Sequence, residues 1–460
     1  MLRDRYSALL AYPTGASAAQ SSTRGSARAP RILLLNQYYP PDTSATAVVL
    51  RDLAQRLAGS VGVVKVLAGR PSYDSLESCP WVPLRRERDG PIAVERVGST
   101  GLDRRRMTGR VANYLSFLAL AAARGLLAAR SDVVVVGSDP PLAVWAAILA
   151  ARRRPVIYSL RDLHPDHAIV SSMIQEGLAT RLWDAAHRAA LERCDVVVCL
   201  GETMAEGVRR KGVRPERIVV IPDGAWLPEG EPDPTLVEEL RAGASFVVAH
   251  AGNIGGAGAW ETLVQAARLL EGQADLLFVG DGSYADVVRN SCVRVVPFRP
   301  ASEIPSVMAA GDLQVVTIRS GMERAVVPSK VYTALAYGRP LLAVASDESD
   351  VAGIVRKWGC GLVASPSEPE DVAEKVLWAR EHPEALTEMA AGSAEAGRHF
   401  ERGRQLGRLA DLVGAVAGRS PRCTAGSRQR LREHAGEAAP LPQRAGRAVA
   451  VTDRHGWGRR

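Results

Sequence analysis

The chain is poor in the residue patterns that most often announce chemistry. Its six cysteines, at positions 79, 194, 199, 292, 360 and 423, form no CxxC pair and join no His/Cys cluster at metal-ligand spacing. That argues against a zinc module or a disulfide framework, and reduced thiols in a cytoplasmic protein are the simple expectation. Long apolar runs are missing too. The best, Tyr114–Leu127, is broken by Arg124, short of the roughly 18 residues that would span a bilayer. The first 29 residues lack an apolar core with a cleavage site, so no secretion signal is expected. Nor does the loop after the first apolar strand, "NQYYPPDTSATA", contain any glycine. Without one it cannot be a dinucleotide GxGxxG turn or a GxxxxGK[ST] phosphate loop, and nicotinamide, flavin and ATP readings lose support.

What is present fits a soluble globular chain of two to three domains: 460 residues, 47% hydrophobic and 23% charged. The net charge of +8 hints at nucleic acid, but its position argues otherwise. Residues 1–29 carry +3 and residues 419–460 carry +7, which leaves the body at about −2. Both ends are biased to Ala, Gly, Arg and Pro without apolar periodicity, so they read as a disordered N-terminal extension and a basic disordered tail. No specific nucleic-acid partner is expected, although a basic tail is weakly drawn to any polyanion.

From residue 31, apolar strands alternate with helix-length segments. "RILLLN", "GVVKVLA", "DVVVVGS", "PVIYSL", "CDVVVCL" and "RIVVIPDGA" form a first set. After the linker "LPEGEPDP" come "SFVVAHAGN", "DLLFVGDG", "VRVVPF", "DLQVVTIR" and "PLLAVAS". Unbroken Val/Ile/Leu runs imply strands buried on both faces, hence parallel sheets under helices. The expected fold class is therefore α/β, with two doubly wound Rossmann-like domains facing a cleft, at 30–225 and 235–395, and a closing helix at 396–418. Ligands in such sheets sit beyond the carboxyl ends of the strands.

The residues at those ends narrow the chemistry. "AHAGNIGGAGAWETL" places Gly252, Asn253, Gly255, Gly256 and Gly258 between a strand and a helix, where a backbone can approach an anion or a sugar. "FVGDGS" puts Asp281 and Gly282 at a second strand end, and Arg319 ends a third. In "VVPSKVYTALAYGRP" a helix is expected from Ser329 to Gly338, with Lys330 in its first turn. A cation at the positive end of a helix is misplaced by a few tenths of a kcal/mol unless an anion sits there. A diphosphate between Arg319 and Lys330 would reverse the sign of each repulsion. The competing reading pairs Arg319 with Glu323 and sends Lys330 to solvent. Thr43 or Ser44 is the expected cap of the first helix.

Taken in order, "QYYPPD", "SDPP", "RDLHPD", "VVIPDGA", "HAGNIG", "FVGDG" and "GMERAVVPSKVYTALAYGRPLLA" resemble the retaining glycosyltransferases of GT-B architecture, group 1 (family 4). The likeness is to the WbuB-type branch of bacterial surface-polysaccharide enzymes and runs over residues 31–400. It implies transfer of a sugar from a nucleotide-diphosphate sugar to a glycan or lipid-linked acceptor, with retention and with neither metal nor cofactor. It also implies a cytoplasmic protein, peripheral on the inner membrane face. By the same resemblance, Arg319 and Lys330 hold the diphosphate and Glu323 approaches the donor sugar. Gly252, Asn253, Gly255, Asp281, Gly282, Pro328 and Ser329 line the donor, and the loop of Asp42, Thr43, Ser44 and Ala45 closes over it.

Three positions depart from the family. Thr333 stands where a glutamate usually takes the ribose hydroxyls, and Ala325 stands eight residues before it, with Glu323 two places away. Gly258 occupies a place where many relatives carry a lysine, and His164 one where this branch commonly shows tryptophan. His164 lies between Asp162 and Asp166, so a carboxylate-oriented imidazole assisting an acceptor hydroxyl is one expectation. The departures also admit a sugar-nucleotide-binding protein with little or no transferase activity. Residues 104–128, basic in front and apolar behind, suit either an anionic membrane surface or a core-facing helix.

Overall fold

The computed structural model describes residues 28–42, 44–71, 81–102, 107–128 and 130–418. The terminal extensions, Thr43, Cys79 and Cys423 lie outside these residues. The first sheet contains β1 (Arg31–Leu35), β2 (Val63–Gly69), β3 (Leu84–Asp89), β4 (Ile92–Val97), β5 (Val133–Gly137), β6 (Val156–Ser159), β7 (Val196–Cys199) and β8 (Ile218–Val220). Their order is β3-β4-β2-β1-β5-β6-β7-β8. β5, β6 and β7 are buried along their whole length, as strands covered by helices on both faces must be.

One edge departs from the expected parallel sheet. β3 runs antiparallel to β4, with Asp89 opposite Ile92 and Gly90 turning the hairpin at a φ of +58°. Neither strand reads as apolar, because β4 carries Glu95 and Arg96 in its middle. Both are buried and paired: Glu95 with the distant Lys65 at 3.1 Å and Arg124 at 2.7 Å, and Arg96 with Glu87 of the same hairpin at 2.5 Å.

The second sheet is wholly parallel. It contains β9 (Val247–Ala251), β10 (Asp275–Val279), β11 (Arg294–Val296), β12 (Leu313–Thr317), β13 (Leu341–Val344) and the short β14 (Gly361–Ala364), in the order β11-β10-β9-β12-β13-β14. The strand order reverses at β1/β5 in one sheet and at β9/β12 in the other, which are the places where such folds receive ligands.

The chain then crosses back. The expected closing helix over 396–418 is instead the end of Pro383–His399 followed by a second helix, Arg402–Ala417. At the break between them Ala225 takes a hydrogen bond from Arg402 N (2.9 Å) and donates to Phe400 O (3.2 Å). A Cβ on Gly224 would lie 2.1 Å from Phe400 O, so only glycine fits that crossing. Helix Arg402–Ala417 packs on helix Ala45–Ser60, so the end of the described chain belongs spatially to the first domain.

Two further contacts join the domains. Asp350 accepts from the backbone N–H groups of Glu202 (2.8 Å) and Thr203 (3.1 Å), capping a first-domain helix from the second domain. The loop after β12 reaches over as well: Leu163 N donates to Ala325 O at 2.8 Å, and Asp162 bridges to Val326. Among the described residues no helix is long and apolar enough to cross a membrane.

Candidate functional site

The carboxyl edge of the second sheet is built on close approach. Gly252 follows β9 at a φ of +131°, and a Cβ there would lie 2.4 Å from Lys330 Cε. Gly280 follows β10, and a Cβ on it would meet Gly252 O at 1.9 Å. Gly282 faces Asn253 Oδ1 and Ile254 O at 2.5 Å in the same sense. The two strand-end loops are stitched by Gly252 N to Val279 O (2.8 Å), Ile254 N to Asp281 O (2.9 Å) and Tyr284 N to Ile254 O (2.9 Å). Any side chain at Gly252 or Gly280 would push these loops apart.

The space so preserved holds the stem of Lys330. Helix Lys330–Ala336 starts one residue later than expected, with Ser329 at the cap position and Gly338 beyond its end at a φ of +61°. No carboxylate among the described residues pairs with the Lys330 ammonium, and burial pushes its pKa down to about 8. Its charge in turn adds to the burial that lowers His250 to about 3.

Beside Lys330 opens a cavity of about 310 Å³. Its wall includes Gly252, Lys330 and Thr333 together with Phe298, Arg299 and Gln314, and it contains no carboxylate. Sequence reasoning reached the first three and missed the last three. "VRVVPF" marks a strand end, and following the strand-end rule into its loop would have found Phe298 and Arg299. Gln314 carries no such mark, for it lies inside β12.

Arg319 is not in that wall. Its backbone N donates to Ala257 O (2.8 Å) and its guanidinium lies over the Tyr284 ring, 5.3 Å from the centroid. Its carboxylate partner is Glu261, at 3.5 Å, and not Glu323. Lys330 and Arg319 thus stand at opposite ends of the 252–257 loop. Glu323 is half-buried on the loop that crosses to the first domain. Asp281 is exposed and bonded to Gly282 N and Arg289, which hold its carboxyl below the usual range. Asn253 and Gly255 lie together, since a Cβ on Gly255 would meet Asn253 Nδ2 at 2.7 Å. Pro328 is half-buried ahead of the exposed Ser329.

Gly258 has a local reason. A Cβ there would meet the Trp260 indole at 2.5 Å, and that indole donates from Nε1 to Gly255 O. Trp260 fills the space that a side chain at 258 would need.

From the first domain, Ser171 approaches the glycine loop, 3.2 Å from where a Gly256 Cβ would be. His164 lies ahead of the short helix Asp166–Val170 that leads to Ser171, stacked on Trp183 at 5.4 Å and edge-on to His167. Burial, then the His167, His187 and Lys211 charges, lowers its pKa to about 3, so it stays neutral. The expected orienting carboxylate is not found: Asp166 pairs with Lys211 at 2.5 Å. Asp162, its carboxyl raised chiefly by burial, feels His167, Arg161 and Asp223 instead. In the first loop Asp42 is buried, Ser44 caps the helix by accepting from Ala47 N (3.2 Å), and Ala45 is its first residue.

Comparison with known proteins fits this arrangement. Residues 44–224 match the glycosyl transferase 4-like domain family, and residues 245–382 match the glycosyl transferases group 1 family. A probable glycosyltransferase of Pseudomonas aeruginosa, WbjE, is 27% identical over 264 residues, which is 54% of this chain and 66% of that relative's length. Sucrose-phosphate synthase of Thermosynechococcus elongatus superposes with a TM-score of 0.67 at 16% identity, over 83% of this chain and 98% of the other. HepE of Anabaena, solved in complex with UDP, gives 0.61 at 18%, over 84% and 100%. The structures establish the two-domain GT-B fold, and the two matched segments with the WbjE likeness support a glycosyltransferase of the group 1 type.

Proposed function

We propose that the protein transfers a sugar from a nucleoside-diphosphate sugar to a glycan or lipid-linked acceptor in polysaccharide or glycoconjugate assembly. The observation that carries this reading is a half-buried, unpaired lysine beside a carboxylate-free cavity of nucleoside size. Burying a cation without a partner is unfavourable, and a diphosphate at the mouth of the cavity turns that cost into a charge-assisted contact. The nucleoside fills the space between Phe298, Gln314 and Thr333, and the diphosphate lies over the Gly252 backbone against Lys330. The sugar then points toward Glu323 and the first-domain loop at 161–167.

As the bond from the anomeric carbon to the β-phosphate oxygen breaks, negative charge grows on the diphosphate. Lys330 meets it from inside the cavity, and Arg319 meets it from the far end of the glycine loop once released from Glu261. Fixed cations in these places support a reaction that needs no divalent metal and no cofactor, and activity retained in EDTA tests that point. Relatives solved with UDP and UDP-glucose support a UDP-sugar as the donor class, and product NMR would report whether configuration is retained.

Thermal stabilisation by nucleoside diphosphates, followed by transfer and hydrolysis assays, tests the reading. Stabilisation by UDP that Lys330→Met reduces is expected. A neutral His164 without a carboxylate partner favours one rival, a nucleotide-sugar binder without turnover, which would bind tightly and neither transfer nor hydrolyse.

A further inference from the structure

Histidine is an unexpected residue in the middle of a buried parallel strand. His250 is the fourth residue of β9, two before Gly252, and is only 1% exposed. It stands outside the cavity wall, yet its ring is held on several sides. Trp260 meets it edge-on at 4.9 Å, and Phe278, its partner on β10, at 5.5 Å. Nδ1 lies 3.2 Å from Val315 O on β12. Nε2 is buried with no hydrogen-bond partner among the described residues. An apolar side chain at this position would spare the fold the cost of that orphan.

The Asn253 backbone is the ring's second main-chain neighbour. It favours the protonated imidazole, as an acceptor does, so it is the Asn253 carbonyl that faces the ring. Burial and then the Lys330 charge keep the imidazole neutral, with one proton between two carbonyls. The Asn253 carbonyl shares its peptide with Ile254 N–H, which donates to Asp281 O at 2.9 Å. His250 thus stands behind the peptide that ties the glycine loop to the loop after β10. Further on, the Trp260 indole holds Gly255 O. Beside these anchors the N–H groups of Gly255 and Gly256 donate to no group among the described residues. Successive free N–H groups on a loop braced from behind suit a phosphate oxygen. We propose that His250 is a positioning residue for donor binding. When the loop closes on a diphosphate, the single ring proton serves the Asn253 carbonyl from Nε2. The Gly255 and Gly256 N–H groups are then held toward the phosphate oxygens.

The inference rests on the nucleotide reading of this edge and adds a residue behind it. Calorimetric titration of the full chain with UDP separates the roles of the two ring nitrogens. In His250→Gln an amide nitrogen falls near the place of Nε2, and in His250→Asn near that of Nδ1. His250→Asn keeps the tie to β12 and should bind UDP about tenfold more weakly, the upper part of the range for one hydrogen bond. His250→Gln should stay close to wild type, and both variants should unfold cooperatively. His250→Phe, which keeps the aromatic packing and neither nitrogen, should match His250→Asn. Wild-type affinity in His250→Asn overturns the proposal and leaves His250 as a strap between β9 and β12. A His250→Gln variant as weak as His250→Asn overturns it too. Wild-type protein that binds no nucleoside diphosphate fails the functional reading itself and takes this inference with it.

Discussion

The two sheets share a fold and differ at the same place, the first residues beyond the strands at the switch point. In the first domain that edge is plugged. Asn36 and Gln37 follow β1 fully buried, with Asn36 Nδ2 donating to Tyr38 O (2.9 Å) and Asn36 Oδ1 resting 2.4 Å from where a Gly137 Cβ would be. Arg96 closes it further by donating to the carbonyls of Tyr39, Pro40 and Gly69. In the second domain Gly252 and Gly280 stand at the corresponding edge, the backbones nearly touch, and the room left over holds Lys330 and a cavity. A doubly wound sheet offers a ligand site at every switch point. Whether it stays open depends on one or two side chains.

The largest test fills the open edge. Gly280→Val forces a side chain into Gly252 O and should cost about 3 kcal/mol of stability, the upper part of the range for overpacking. A lower urea midpoint, with nucleotide stabilisation lost, is the expected outcome. Unchanged stability would mean that the glycine edge is slack and the contrast between the sheets is false.

Next comes the cation. Lys330→Met should weaken nucleoside-diphosphate binding by about 1.5–3 kcal/mol, the range for a charge-assisted hydrogen bond, read by calorimetry. The same change should raise the unliganded melting temperature at pH 7, because it removes a buried charge with no partner. The pH dependence follows from the depressed pKa. With Lys330 at about 8 in the folded protein, against 10.5 for a free lysine, the unfolded chain holds more protons between those values. Unliganded stability therefore rises as pH climbs through that window, while diphosphate affinity falls as the ammonium is lost. Lys330→Met should show neither slope from this group.

These tests bear on residues that were legible early because strand-end placement is local. A Val/Ile run followed by glycine locates Gly252, and a lysine opening the next helix after an arginine-ended strand locates Lys330. The cavity itself was not legible, because helix Ile304–Ala310 and helix Lys330–Ala336 enclose it together with the loop after β11, far apart in the chain. The β3–β4 hairpin hid for a related reason: Lys65 and Arg124, which neutralise Glu95, are distant in sequence, and Arg96 meets Glu87 only once the hairpin has formed. Apolar content alone also left helix Met107–Leu127 undecided between core and membrane, since its leucines and alanines cover both of its faces. Only the packing of Phe117 and Ala121 inward separates the sides.

Gly258→Lys sharpens the comparison at smaller scale. Restoring the lysine common among relatives requires Trp260 to move, so about 1–2 kcal/mol of destabilisation is expected, again from overpacking, with no gain in donor affinity. Tighter UDP binding at unchanged stability would show that the indole yields easily and that the missing cation limits the site.

The smallest effect concerns Thr333, the hydroxyl-bearing residue of the cavity wall. A ribose presents two adjacent hydroxyl donors, and the wall offers them no carboxylate. The Gln314 amide is already turned toward the helix behind it, its Nε2 donating to Met308 O at 3.1 Å. A threonine oxygen can accept from one ribose hydroxyl but cannot bridge both. Wild-type protein should therefore separate UDP from 2′-deoxy-UDP by only a few-fold. Thr333→Glu adds an acceptor able to bridge the diol and should widen that ratio about tenfold, corresponding to about 1.4 kcal/mol, close to the lower end of the range for hydrogen bonds to charged groups. Overall affinity gains less, because the new carboxylate faces the diphosphate as well as Lys330. An unchanged ratio would place the ribose away from residue 333 and turn the nucleoside in the cavity, leaving Lys330 and the glycine edge as the fixed points of the site.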